Sequence, residues 1–190
     1  MSEAVIGLVG VVVGVLTTGF KDWLVVVINT KRRKRYLATR VVSLLDIFVD
    51  NCASVVKDDG TFRGQPNPDG YYYAQVPVPD FNPLSLDVDW LSIKSELMHQ
   101  ILSFPNDIYI ANSKIQSVRE YVADPPDFPE YFEERQYQYS ILAIKATQLI
   151  NQLNKEASFK GSVTKWNWFE SDLFENTVKD TEVRRAQKFT

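Results

Sequence analysis

Ala4-Val5-Ile6-Gly7-Leu8-Val9-Gly10-Val11-Val12-Val13-Gly14-Val15-Leu16-Thr17-Thr18-Gly19-Phe20 contains no charged residue. As helix, at ~1.5 Å per residue, it covers roughly 25 Å. After Lys21-Asp22 the apolar character resumes in Trp23-Leu24-Val25-Val26-Val27-Ile28, and a basic block, Lys31-Arg32-Arg33-Lys34-Arg35, follows. Val and Gly are poor helix formers in water, and this stretch has no polar face to turn toward solvent. The pattern predicts an N-terminal transmembrane helix over residues 1–30, with residues 31–35 as its stop signal.

The order of charges decides against a cleaved secretory signal, which carries its basic residues ahead of the apolar stretch. Here only Glu3 precedes it. Basic residues remain on the cytoplasmic side. The expectation is therefore a single-pass protein of the inner membrane, with its N-terminus outside and everything after Arg35 in the cytoplasm.

Two features of the anchor bear on assembly. Gly7, Gly10, Gly14 and Thr18 recur at helical spacing, a small-residue face that lets two helices approach closely and predicts a homo-oligomer. Lys21, Asp22 and Trp23 are candidates for an interface or a pore. If the hydrocarbon ends near Phe20, the lysine reaches the headgroups and the indole joins an interfacial belt. If it extends to Ile28, the two charges need a partner or water, as in the lumen of an oligomer.

Charge divides the chain. Through Arg40 there are seven basic and two acidic residues, whereas the remainder has 14 basic and 22 acidic. An acidic cytoplasmic part is repelled by phosphate backbones, so nucleic acid is not an expected partner. The bilayer is, with anionic headgroups drawn to the basic block. The single cysteine, Cys52, excludes an internal disulfide and fits a reducing compartment.

Residues 36–158 read as a helical bundle. Leu37, Val41, Leu44, Phe48, Cys52 and Val55 step by three and four along one helix, which Asp58-Asp59-Gly60 ends. Residues 58–86 are rich in Pro, Gly, Asn, Asp and Tyr and predict one long irregular loop with a turn at Asn67-Pro68-Asp69-Gly70. Tyr71, Tyr72 and Tyr73 next to that turn are candidate contacts for a cytoplasmic protein partner. A second helix places Trp90, Ile93, Leu97, Ile101 and Phe104 on one face. Pro105 starts a third, carrying Ile108, Ala111, Ile115, Val118 and Val122. A fourth runs from Pro129 to about Ala157. The fold class expected is all-α, an antiparallel bundle of about four helices with one long loop. Residues 159–190 form an aromatic amphipathic segment around Trp166, Trp168, Phe169, Leu173 and Phe174, packed on the bundle or a neighbouring subunit, with an end that frays from about Lys179.

Chemistry finds little purchase. Glu96-Leu97-Met98-His99 has the Glu-x-x-His spacing of di-iron bundles, but such sites need a second histidine and the chain has one. His99 is expected to face solvent. Phosphate-cradling glycine loops, zinc-spaced cysteine pairs and Ser-His-Asp or Cys-His sets are missing. No enzyme activity, metal or other cofactor is expected.

The layout, with Glu3-Ala4-Val5-Ile6-Gly7-Leu8-Val9-Gly10 at the start, then Asn82-Pro83-Leu84-Ser85-Leu86-Asp87-Val88-Asp89-Trp90 and Phe132-Glu133-Glu134-Arg135-Gln136-Tyr137-Gln138-Tyr139, resembles uncharacterised single-pass bacterial membrane proteins. In architecture it also resembles the small membrane-pore accessory proteins of RNA-targeting CRISPR systems, although no arginine precedes His99 at the Arg-x4-6-His spacing. The resemblance implies an anchored helical domain and transfers no nuclease residue. One function leads as the expectation, and two stand as alternatives to it. The first is a non-enzymatic, self-associating interaction or scaffold module at the inner face of a bacterial membrane. The second is an oligomeric pore that depolarises the membrane, as in anti-phage defence. The third is a metal-binding bundle enzyme using Glu96 and His99.

Overall fold

In a computed structural model, the backbone is described for residues 2–159 and 168–187, and side chains for residues 21, 23–159 and 172–187. Four α-helices account for most of these residues: α1 Ser2–Val56, α2 Ser95–Tyr121, α3 Pro129–Glu156 and α4 Trp168–Gln187. Two short 3-10 turns lie at Pro83–Ser85 and Trp90–Ser92. The described residues include no β-strand, only an isolated bridge between Phe62 and Gln65. The all-α expectation holds.

The apolar N-terminal run and the first bundle helix are one continuous helix, α1. Among the described residues no helix is long and apolar enough to cross a membrane. The side chains of residues 2–20, including those of Gly7, Gly10, Gly14 and Thr18, lie outside the described residues, as does that of Asp22.

α3 is the central helix. It packs against α1, α2 and α4 in turn, which explains why its buried residues are spread around much of its circumference. The pairing is legible in the cross-helix contacts. Lys34 meets Glu156 and Asp58 meets Arg135, so α3 is antiparallel to α1. Asp107 meets Lys145 and Asn112 meets Tyr139, so α3 is antiparallel to α2. Glu133 meets Arg185 and Tyr137 meets Glu182, so α3 is antiparallel to α4.

It follows that α1 and α2 are parallel, which corrects the expectation of a bundle antiparallel throughout. Parallel neighbours need a connection as long as the helices themselves. The long loop is that connection. It leaves α1 at Asp58 beside Arg135, returns past Asp89, which meets Arg33, and delivers Lys94 to Glu156 at the other end of the bundle. Phe81 on the crossover fills the space between the two parallel helices. Its ring lies edge-on to Phe104 with centroids 5.5 Å apart and 6.3 Å from Phe48, and Phe48 and Phe104 meet at 5.3 Å. Edge-to-face aromatic packing of this kind joins three chain segments at one point of the core.

Three expected boundaries also change. Pro105 does not begin a helix but sits inside α2, so two of the expected helices are one. An interior proline costs on the order of 3 kcal/mol through its missing N–H and its ring clash. Here Ile101, Phe104 and Ile108 are buried on both sides of it, and their packing holds the helix through the defect. The segment around Trp90, expected as the first turn of that helix, is instead a separate 3-10 turn whose cap is Asp89, accepting from the Leu91 N–H at 3.2 Å. Finally, the chain does not fray from Lys179: α4 continues to Gln187 because Arg184 and Arg185 are held by Glu133 and Glu134 of α3. Thus the bundle's fourth helix comes from the C-terminal segment.

Candidate functional site

Two ends of the bundle carry the features of interest. At the first, α1 emerges as six consecutive apolar residues, 23–28, each between 36% and 62% exposed. Six successive helical positions cover every direction around the axis. No face of this belt is therefore buried. Trp23 belongs to it and Lys21 is exposed just ahead of it.

Immediately beyond, the basic block divides into two groups. Arg33 bonds Asp89 at 3.3 Å, Lys34 Nζ bonds Glu156 at 2.8 Å, and Arg35 donates to the carbonyl oxygens of Ala157 and Ser158 where α3 ends. A guanidinium is well placed there, since the last carbonyls of a helix lack intrahelical donors and carry partial negative charge. Arg35 also lies over the Phe159 ring. Lys31 and Arg32 are exposed, and among the described residues neither has an ion-pair partner. The block expected to act as one topological signal thus also docks α1 onto the bundle through three of its members.

The opposite end is built on a buried ion pair that sequence reading missed. Asp58 and Arg135 side chains are each 2% exposed, and Arg135 Nη1 lies 2.8 Å from Asp58 Oδ2. The same carboxylate accepts from the backbone N–H groups of Gly60 (3.0 Å), Gln75 (2.9 Å) and Val76 (3.1 Å). Arg135 Nη2 donates to the Val76 carbonyl at 2.6 Å, and Gln136 donates to the Asp58 carbonyl. Two charges removed from water are tolerated only when their remaining donors and acceptors are met in this way. The pair ties the end of α1, the start of the crossover and α3 together. A signal existed: Arg135 falls four residues from both Tyr131 and Tyr139 on the buried stripe of α3, where an unpaired charge would not be accommodated.

On this scaffold the three tyrosines separate. Tyr71 and Tyr73 are each 42% exposed and stack with centroids 6.4 Å apart. Tyr72 is half-buried against the core, and its N–H donates to the Pro126 carbonyl. Asp69 organises the pair, accepting from the Tyr71 N–H at 3.0 Å and the Tyr73 hydroxyl at 2.8 Å. Those bonds, the Tyr71 N–H first, hold its carboxyl below the usual range, and the same carboxylate raises the Tyr73 phenol. Phe128 lies 6.4 Å from Tyr71 and extends the aromatic surface.

The metal candidate does not assemble. Glu96 and His99 are both exposed, and the described residues contain no group of three His, Cys, Asp or Glu able to hold an ion. Burial pushes up both the Cys52 thiol and the Tyr139 phenol, whose hydroxyl donates to Asn112 at 2.7 Å.

Comparison with known protein families, curated proteins and solved structures gives no match. The site is therefore read from its own geometry.

The α3–α4 contact is electrostatic where it is best defined. Arg185 Nη2 lies 2.6 Å from Glu134, its guanidinium lies 4.5 Å from the Tyr137 ring centroid, and Glu134 is largely buried. Replacing Arg185 with alanine leaves that carboxylate with Gln138 as its side-chain partner, a loss of about 1–2 kcal/mol. Hydrogen exchange should show α4 amides opening faster in Arg185→Ala while α1 and α2 are unchanged. An unaltered α4 would mean that Phe174 and its apolar neighbours dock the helix without the ion pairs.

Proposed function

We propose that this chain is a membrane-tethered helical interaction module that self-associates through its anchor and offers its far end to a protein partner. The observation that carries this reading is the belt at residues 23–28, apolar in every direction and exposed at each of its six positions. Water does not favour such a collar, whereas lipid does. Joined across Lys21-Asp22 to residues 4–20 it makes a helix of roughly 37 Å at ~1.5 Å per residue with one charged pair in it, enough to cross a ~30 Å hydrocarbon layer with tilt. On a span of that length Lys21 and Asp22 meet a partner or water at the centre of the oligomer.

The continuity of α1 gives the tether a mechanical meaning. From Lys31 to Val56 the helix advances roughly 38 Å, so the stacked Tyr71 and Tyr73 lie at the pole of the bundle opposite the basic residues. A partner would meet them away from the bilayer surface. Paired, partly exposed tyrosines offer contact area at low entropic cost.

Membranes from cells expressing the full chain provide the test. The protein is expected to remain in the pellet after an alkaline carbonate wash and to cross-link as an oligomer, which Gly10→Leu with Gly14→Leu reduces to monomer. Release into the wash would overturn the tether, and a monomer before substitution would overturn self-association.

A further inference from the structure

Between α1 and the end of α3 lies a cleft of about 350 Å³. Val26 and Val27 form one part of its wall, Thr30, Lys31 and Lys34 continue along the same helix, and the C-terminal end of α3, from Glu156, closes the other side. Val27, Thr30, Lys31 and Lys34 follow a spacing of three, four and seven, so one face of α1 changes from apolar to cationic as it passes the cleft. We propose that this cleft binds the phosphate headgroup of an anionic glycerophospholipid.

Three observations support a lipid over other occupants. The first is depth. Lys31 and Lys34 lie about 4.5 and 9 Å beyond Ile28 at ~1.5 Å per residue. The polar layer of each leaflet is roughly 5–7 Å thick. At about 4.5 Å Lys31 lies within that layer and faces phosphates, whereas Lys34, at about 9 Å, lies just past it. The second is lining: Val26 and Val27 continue the apolar belt into the cleft, so a glycerol backbone and the top of an acyl chain can follow the helix while the phosphate meets the cations. The third is charge. Among the described lining residues the one carboxylate is Glu156, already held by Lys34 at 2.8 Å and by Lys94 at 3.9 Å, and the Ala157 and Ser158 carbonyls already accept from Arg35. Lys31 has no ion-pair partner among the described residues. The cleft therefore keeps a cation for an incoming phosphate, beside an apolar wall that a free ion would not need.

The inference rests on the membrane reading above, and it goes further. It makes the junction between tether and bundle sensitive to lipid type, because Lys34, which lines the cleft, also joins α1 to α3 through Glu156. It separates Lys31 from its neighbour Arg32, which has the same charge but does not line the cleft.

The test uses the full chain extracted in mild detergent and supplied with phosphatidylglycerol or phosphatidylcholine at equal concentration, with retained lipid counted by native mass spectrometry. Phosphatidylglycerol should be retained preferentially. Lys31→Ala should lower that retention about fivefold, the effect of one lysine near an anionic surface, and Arg32→Ala should change it far less. Excess inorganic phosphate should leave the lipid bound. Equal loss in the two variants would reveal diffuse attraction and overturn the cleft, as would equal retention of both lipids or displacement by inorganic phosphate. Each of those results can occur in a chain that resists carbonate extraction, whereas release by carbonate overturns the tether and the lipid site together.

Discussion

Arg135→Ala is expected to lower the stability of the folded chain by about 3–5 kcal/mol, the range for removing one partner of a buried ion pair. The loss has two sources. Asp58 stays buried with three backbone N–H donors but no counter-charge, and the Val76 carbonyl loses the guanidinium that reaches it at 2.6 Å. Both effects fall on the start of the crossover. Urea unfolding of the full chain in detergent should show the midpoint fall, and hydrogen exchange should place the earliest opening near residues 58–76. Arg135→Lys should recover only part of the loss, because one ammonium does not reproduce a planar fork aimed at a carboxylate and a carbonyl together. A change below about 1 kcal/mol in Arg135→Ala, the size of a solvent-exposed pair, would show that water reaches Asp58 and that the pair is not the anchor of this end.

Gly60→Ala is expected to be nearly as damaging, for a steric reason. Gly60 has φ +81°, and a Cβ there would lie 2.2 Å from Cζ of Phe132 and within 2.9 Å of both ring Cε atoms. The left-handed backbone costs a non-glycine residue about 1–2 kcal/mol. Forcing a methyl group into a filled core adds about 1–3 kcal/mol. The ring has little room to retreat, since Phe132 is buried and packed edge-on against Tyr131 at 5.0 Å. Gly70→Ala provides the control. Its φ is also +81° but nothing lies within 4 Å of the added carbon, so only the backbone cost should appear. Equal midpoints for the two variants would mean that Phe132 moves aside freely. A double variant, Gly60→Ala with Phe132→Leu, should be less unstable than the two single losses added together, because the residues share one contact.

These two residues also show where sequence reading stops. Asp58-Asp59-Gly60 was legible as the end of a helix, and Arg135 was legible as part of a charged stretch of α3. Their meeting was not, because they are 77 positions apart: the place of Arg135 on the stripe of Tyr131 and Tyr139 signals a buried charge but does not say which residue pairs with it. The long loop was read as irregular, and it is. Its task, carrying the chain the length of the bundle so that α2 can lie parallel to α1, depends on which helices pair and is absent from local composition. Pro105 misled for a related reason: its local preference is to begin a helix, and the packing of Ile101, Phe104 and Ile108 overrides it.

The basic block illustrates a division within a single motif. Five consecutive cations have one reading in sequence, a stop signal. In the folded chain Arg33, Lys34 and Arg35 reach the bundle, whereas Lys31, one turn earlier on the face of Lys34, and Arg32 have no ion-pair partner among the described residues. The three tyrosines divide by the same principle, with Tyr72 turned toward the core and its neighbours outward.

Periodicity was sufficient for helix type, the C-terminal end of α1 and its apolar face within the bundle, the bounds of α3, and the change from an apolar to a charged chain near Lys31. Those properties depend on residues within a few turns of one another, where spacing is geometry. The parallel pairing of α1 and α2, the central place of α3, the recruitment of the C-terminal segment as α4 and the Asp58–Arg135 pair required the folded chain. Each joins residues distant in sequence, and the free energy that selects them comes from burial and desolvation, which no local spacing encodes.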